Sequence, residues 1–223
     1  MHAQTNARPR LILASSSPRR RDLLAMFKQP FEVIPNHANE TVPGNPSPDQ
    51  LVQILAERKA EATLKQQVDT GLPDRPLYII GADTVVSING EILGKPRKQA
   101  DAFDMLTRLQ GRSHDVFSGL CVLRRTVDGA VEKRLGYSQT RVDMAALTPS
   151  QIQAYIATGE PLDKAGSYGI QGFGSLFIPK LEGDYFTVVG LPVFLLGQFL
   201  LDLGYPLLPD LDGLPLDNPL DRE

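Results

Sequence analysis

A chain of 223 residues, 42% hydrophobic and 22% charged, carries enough apolar surface to bury a sizeable core in one or two lobes, which excludes a disordered protein. Its net charge of −3 speaks against a nucleic-acid binder, which advertises a basic face, although a small anionic ligand needs only a few well-placed cations. No segment reaches the roughly 20 consecutive apolar residues that span a bilayer, and the first nine residues lack the hydrophobic stretch of a signal peptide, so no membrane association and a cytoplasmic setting are expected. The single cysteine, Cys121, cannot form an intrachain disulfide and reads as a small core residue of a protein in a reducing compartment.

Residues 1–10 form a polar lead, expected to be disordered. Residues 11–14 are a short apolar run of strand type, and Ser15-Ser16-Ser17-Pro18 follows at once. Ser17 can cap the free amides of a helix, and Pro18 at the first helical position sacrifices no hydrogen bond. Leu23, Leu24 and Phe27 then share one face of that helix. A second strand is predicted at 31–34, before a long polar loop from Pro35 to Pro48. Helical spacing resumes over 49–65, with Leu51, Ile54, Leu55 and Ala62 as the apolar stripe. Residues 77–86 read as a buried strand, and Asn89-Gly90 signals a hairpin into 91–93. An amphipathic helix over 98–109 precedes two strands, 114–123 and 131–142, around the turn at Asp128-Gly129. Thr148-Pro149 opens a helix that Gly159 closes, and a last helix over 192–203 ends at Gly204. Hairpins among the βα alternation make a purely parallel sheet a poor fit. The expected fold class is α/β, with a long mixed β-sheet flanked by helices. Residues 11–207 are read as a single domain and residues 208–223 as a poorly ordered C-terminal extension.

Three segments carry chemistry. In Ser15-Ser16-Ser17-Pro18-Arg19-Arg20, a strand feeds straight into a helix, so backbone amides, hydroxyls and two guanidinium groups all favour an anion such as a triphosphate tail. A capped helix with a solvated basic first turn is the alternative, though basic residues there oppose the helix dipole. In Gly81-Ala82-Asp83-Thr84-Val85-Val86, an aspartate interrupts an apolar strand, and a metal ion or attacking water would compensate its burial. An aspartate bonding a neighbouring loop is the structural alternative. Lys95 follows the hairpin that starts after Asp83 and so returns to its neighbourhood, while Lys59 lies beside its helix's apolar stripe; either alone reads equally as a surface lysine. Glu40 ends the long loop and offers oxygen to a hard cation. The third segment, residues 163–174, holds four glycines in nine residues, the mark of backbone that comes close to something. Gln171 within it can both donate to and accept from a nucleobase edge. Tyr168 and Phe173 either stack on a base or pack.

Taken in order, the Ser-Pro-Arg-Arg turn, Gly81-Ala82-Asp83-Thr84-Val85-Val86, Gly94-Lys95-Pro96-Arg97, residues 163–172 (Asp-Lys-Ala-Gly-Ser-Tyr-Gly-Ile-Gln-Gly) and Val188-Val189-Gly190-Leu191-Pro192 resemble the Maf (septum formation inhibitor) family across residues 11–203. The resemblance implies two lobes around a deep cleft, as in the inosine triphosphate pyrophosphatases, and a homodimer. It implies hydrolysis of a nucleoside triphosphate to the monophosphate and pyrophosphate with a divalent cation, Mg or Mn. Asp83 matches the proton acceptor, and Ser15, Arg19, Arg20, Lys59 and Lys95 match phosphate-facing positions. Glu40 joins Asp83 near the metal, and Arg19, Thr84 and Gln171 match positions associated with base selection. The branch resembling the dTTP/UTP enzymes carries the amide of Gln171, where the branch acting on 7-methyl-GTP carries an acid. An amide suits the O4 and N3–H edge shared by uracil and thymine. The expected role is cleansing of nucleotide pools or cell-division arrest. Rival readings are the same chemistry on 7-methyl-GTP, a non-catalytic nucleotide sensor, and an interaction module.

Overall fold

The computed structural model describes residues 8–35, 38–71 and 75–208, so residues 1–7 of the predicted lead and 209–223 of the predicted extension lie outside the described residues, while Arg10 of the lead opens the first strand. Strand β1 (Arg10–Leu13) runs into helix α1 (Pro18–Ala25), whose N-cap Ser17 accepts from the Arg20 amide as the Ser-Pro pair predicts. Then follow β2 (Glu32–Val33), α2 (Pro48–Asp69), β3 (Leu77–Ile88), β4 (Glu91–Leu93), α3 (Gln99–Leu109), β5 (Ser113–Arg125), β6 (Val131–Asp143) and α4 (Pro149–Ala157). The last elements of the described residues are β7 (Lys180–Glu182), α5 (Tyr185–Val189) and α6 (Val193–Asp202). β7, α5 and the 3₁₀ turns between Glu160 and Phe177 were not foreseen, because each is too short to show a hydrophobic period. α5 is held instead by its cap: the Asp184 carboxylate accepts from the amides of Phe186 at 3.1 Å and Thr187 at 2.9 Å.

Among the described residues seven strands form one mixed sheet in the order β2-β1-β3-β5-β6-β7, with β4 on β3, as the interleaved pattern required. Asn89 and Gly90 both take positive φ in the β3–β4 turn, the backbone that Asn-Gly favours. The long antiparallel pair β3–β5 is the spine. Its other edge decides where a ligand can enter. β1 occupies that edge at Leu77–Ile80 and β4 occupies it at Val86–Ile88, so among the described residues no strand faces 81–85 there. Side chains from both faces of the sheet can reach this gap, which opens at the carboxyl end of β1 where an α/β sheet favours ligands.

Three buried clusters surround it. One packs α1 and α6 on the Tyr78, Ile80 and Ala82 face, and a second packs α2 on the Leu77 and Ile79 face. The third packs α3 and α4 farther along, over Val86 and Ile88. Thr84 stands between the first and third clusters, which makes them two lobes with the gap as a cleft of about 590 Å³.

The predicted stripe of α2 needs correction. Leu51, Ile54 and Ala62 are only partly buried, and Val52, Leu55, Ala56, Ala60 and Thr63 face the core. The reason is close approach: a Cβ added at Gly81 would lie 2.2 Å from the Ala56 carbonyl oxygen, and one at Gly119 would lie 2.2 Å from that of Val52. Where the helix comes this near the sheet, at Gly81, it has room only for the small side chains of Ala56 and Ala60, which turns Leu51 and Ile54 toward its flanks.

Candidate functional site

Asp83 sits in the gap, opposite Gly119 in register and on the sheet face that α2 covers. Lys59 projects from the buried stripe of α2, seven residues after Val52 and three after Ala56, and its Nζ lies 2.5 Å from Asp83 Oδ1. Side-chain exposure is 14% for Lys59 and 13% for Asp83, so the pair is largely out of water. Glu40 Oε1 reaches the same Nζ at 2.9 Å, and this hydrogen bond holds the Glu40 carboxyl below its usual range, with help from nearby Lys95 and Arg20. Both carboxylates therefore converge on one cationic point. Lys95, exposed after β4, lines the same cleft.

The strand-to-helix turn forms the opposite wall. Ser15 is buried, and its Oγ accepts from the Ser17 amide at 3.2 Å and from Arg20 Nη1 at 3.3 Å. Arg20 also donates from Nε to the Gly190 carbonyl at 2.7 Å and from Nη2 to Thr84 Oγ1 at 3.0 Å. Burial lowers the Arg20 pKa, opposed by the negative charge of Asp83. Its guanidinium is thus a fixed strut as much as a ligand. Thr84, on the face opposite Asp83, shares its hydroxyl with Arg20 and Ser118, the latter at 2.8 Å. Arg19 crosses the cleft instead, pairing its Nη1 with Asp163 Oδ2 at 2.9 Å.

The glycine-rich segment closes the far side. Gln171 lines the cleft and is exposed, and its side chain makes no hydrogen bond to another described residue. Of the two aromatic candidates, Tyr168 packs and Phe173 is 58% exposed away from the cleft lining. Every candidate, Ser15, Arg19, Arg20, Glu40, Lys59, Asp83, Thr84, Lys95 and Gln171, lines this one cavity. Among the described residues no group of three or more His, Cys, Asp or Glu could hold a metal ion by itself. A hard cation would need substrate oxygens beside the carboxylates of Asp83 and Glu40, and the donor chemistry of that pair suits one.

The family model described as Maf-like protein matches residues 10–203. The chain belongs to the Maf family. Among curated relatives of this Maf chain, the dTTP/UTP pyrophosphatase of Bacillus cereus (strain AH187) is 44% identical over 184 residues, 82% of this chain and 90% of that one. The dTTP/UTP pyrophosphatase of Bacillus pumilus (strain SAFR-032) is 46% identical over 183 residues, with the same coverage. Among solved structures, the Staphylococcus aureus Ham1 protein aligns over 77% of this chain and 80% of its own at 14% identity and a TM-score of 0.37, a likeness too slight to bear on function.

Sequence reasoning missed two partners that this Maf fold brings in. Asp163, the first residue of its own motif, neutralises Arg19 across a gap of 144 residues. His114, read only as a strand start, is 3% exposed and its Nε2 lies 2.6 Å from Tyr168 Oη. Its Nδ1 has no partner among the described residues, and burial pushes its pKa down to about 4 despite Asp115 and Asp143. A folded pKa below the unfolded value near 6.5 means that the unfolded chain takes up the proton first. Stability from this group is complete above pH 6.5 and drains as pH falls toward 4. Between pH 7.5 and pH 5, wild type is expected to lose about 2 kcal/mol more stability than His114→Gln. Parallel urea titrations read the difference, and equal slopes for the two proteins would refute it.

Proposed function

We propose that this chain is a nucleoside triphosphate pyrophosphatase that converts dTTP and UTP to the monophosphate and pyrophosphate. What carries the reading is one carboxylate, Asp83, placed on the unpaired edge of β3 within a cleft rimmed by Arg19, Arg20, Lys59 and Lys95. The names of the relatives from Bacillus support the base preference.

In this reading, Ser15, Arg19, Arg20, Lys59 and Lys95 hold the three phosphates, and Arg19 exchanges Asp163 for phosphate oxygens. Asp83 accepts a proton from water as its oxygen bonds to the α-phosphorus, and the bond from that phosphorus to the bridging oxygen breaks. Pyrophosphate departs with its charge spread over the fixed cations, so positioning and charge stabilisation supply most of the acceleration. Asp83 and Glu40 would hold a divalent cation, Mg or Mn, which when bound neutralises developing charge on the phosphates. Arg19, Thr84 and Gln171 select the base, with Gln171 the residue free to face it.

Incubating the protein with each nucleoside triphosphate and magnesium decides the reaction: pyrophosphate from dTTP and UTP is expected, and orthophosphate or no product rejects it. Gln171→Glu is expected to lower kcat/KM on UTP by about tenfold or more, because a carboxylate repels the O4 oxygen that the amide nitrogen binds. An unchanged substrate profile rejects this account of selection. The same reading carries a cytoplasmic homodimer, supported by the buried Cys121 thiol and by exposed Phe194 and Leu201 on the outer side of α6. Light scattering that returned the mass of one chain would remove the dimer.

A further inference from the structure

The four glycines between Gly166 and Gly174 suggest backbone that approaches a ligand, yet the contacts of the last two lie on the protein side. A Cβ at Gly172, where φ is +69°, would lie 2.5 Å from Glu160 Oε2. One at Gly174 would lie 2.7 Å from Tyr155 Oη and 2.1 Å from the Gly169 carbonyl oxygen. These glycines let the loop close down on two side chains.

Those side chains hold it on both flanks of Gln171. Behind it, Glu160 Oε2 accepts from the Phe173 amide at 2.8 Å and Oε1 accepts from the Gly174 amide at 3.0 Å. Ahead of it, the Gly169 amide donates to Tyr155 Oη at 3.2 Å, and that hydroxyl donates to Glu160 Oε1 at 2.8 Å. The anchor is buried and packed on its own side. Tyr155 is 3% exposed in α4, edge-on to Phe177 with ring centroids 5.2 Å apart, and packs with Ile152 and Ile156. Lys164 fixes the backbone of Glu160 from the other side, its Nζ lying 2.5 Å from the Glu160 carbonyl oxygen.

We propose that Glu160 and Tyr155 are positioning residues for base selection, clamping the loop so that the Gln171 amide meets the nucleobase in one place. This rests on reading Gln171 as the base-selecting residue. The physical need is specific. A terminal amide can present either its oxygen or its nitrogen, so on a loose loop it would accept cytosine almost as well as thymine or uracil. Discrimination comes from holding the groups that bind within a fraction of an ångström. A carboxylate that accepts two amides and a phenol makes the stronger, charge-assisted kind of hydrogen bond and is suited to that task.

The test compares kcat/KM on dTTP and dCTP for wild type, Glu160→Gln, Tyr155→Phe, Gln171→Ala and the double variant Glu160→Gln/Gln171→Ala. Glu160→Gln turns one accepting oxygen into a donor that faces another donor. It is expected to lower kcat/KM on dTTP about tenfold, chiefly through KM, while dCTP changes little. Tyr155→Phe should move the ratio the same way by a smaller factor, and it carries the test if Glu160→Gln does not fold. In the double variant, Glu160→Gln should add no further loss of selectivity to Gln171→Ala. Equal losses on both nucleotides, or fully multiplicative effects, would mean a structural cap alone and overturn the proposal. Retained selectivity in Gln171→Ala would strike the reading of Gln171 and the clamp with it. Retained selectivity in Glu160→Gln and Tyr155→Phe, with loss in Gln171→Ala, strikes only the clamp.

Discussion

Asp83→Asn is expected to lower the rate of pyrophosphate release by about a thousandfold or more, because the amide cannot take the proton of the attacking water. The exchange keeps size and shape, so its effect on folding turns on Lys59, whose side chain is 14% exposed. Stripping a buried charge of its only partner costs about 3–5 kcal/mol. Lys59 retains Glu40 at 2.9 Å, so the variant should stay folded and keep measurable nucleotide affinity. Burst-free steady-state assays beside equilibrium titration of dTTP separate the two effects. Turnover near the wild-type rate would remove Asp83 from the chemistry. Loss of binding and rate together would make it a structural residue.

The second large effect is expected at a residue that carries no side chain, the register partner of Asp83. Gly119→Ala should cost about 3 kcal/mol or more of stability, since its Cβ would sit 2.2 Å from the Val52 carbonyl oxygen and 2.8 Å from the Gln53 amide nitrogen. Those atoms belong to helix backbone, which cannot rotate aside as a side chain can. α2 must lift from the sheet, and Lys59 lifts with it away from Asp83. A displacement of about 1 Å at a positioned group is worth on the order of a hundredfold in rate, so activity should fall along with stability. Gly197→Ala is the matched control: that Cβ meets nothing within 4 Å in the middle of α6, and the change is expected to be neutral or to add about 0.5–1 kcal/mol. Chemical denaturation of both variants checks the contrast, and a Gly119→Ala protein as stable as wild type would show that α2 is not seated by this contact.

Both expectations depend on different kinds of information. Asp83 was legible in the sequence because a carboxylate inside an apolar strand has a cost that needs an explanation wherever the strand lies. The anion-ready turn at 15–20, the Asn89-Gly90 hairpin and the caps at Ser17 and Thr148 were legible for the same reason: each is set by neighbours within four residues. The stripe of α2 was misread because periodicity gives the direction of a face and not how near its partner comes. Only the packed sheet reveals that Gly81 and Gly119 draw that helix in and leave room for small side chains.

The order of the longer elements, the mixed α/β sheet and the cationic and hydroxyl-bearing residue types of the cleft could be read from sequence, since all of these follow from local backbone preference and local chemistry. That Lys59 meets Asp83, that Arg19 meets Asp163 and that Glu160 bonds the loop after Gln171 emerge from the packed fold alone. Two of those meetings join residues 24 and 144 positions apart, and the third ties the loop of Gln171 to the 3₁₀ turn that opens at Glu160, 13 positions before Phe173. Such contacts are fixed by strand register and by how closely the layers pack, and no window of neighbouring residues contains either quantity.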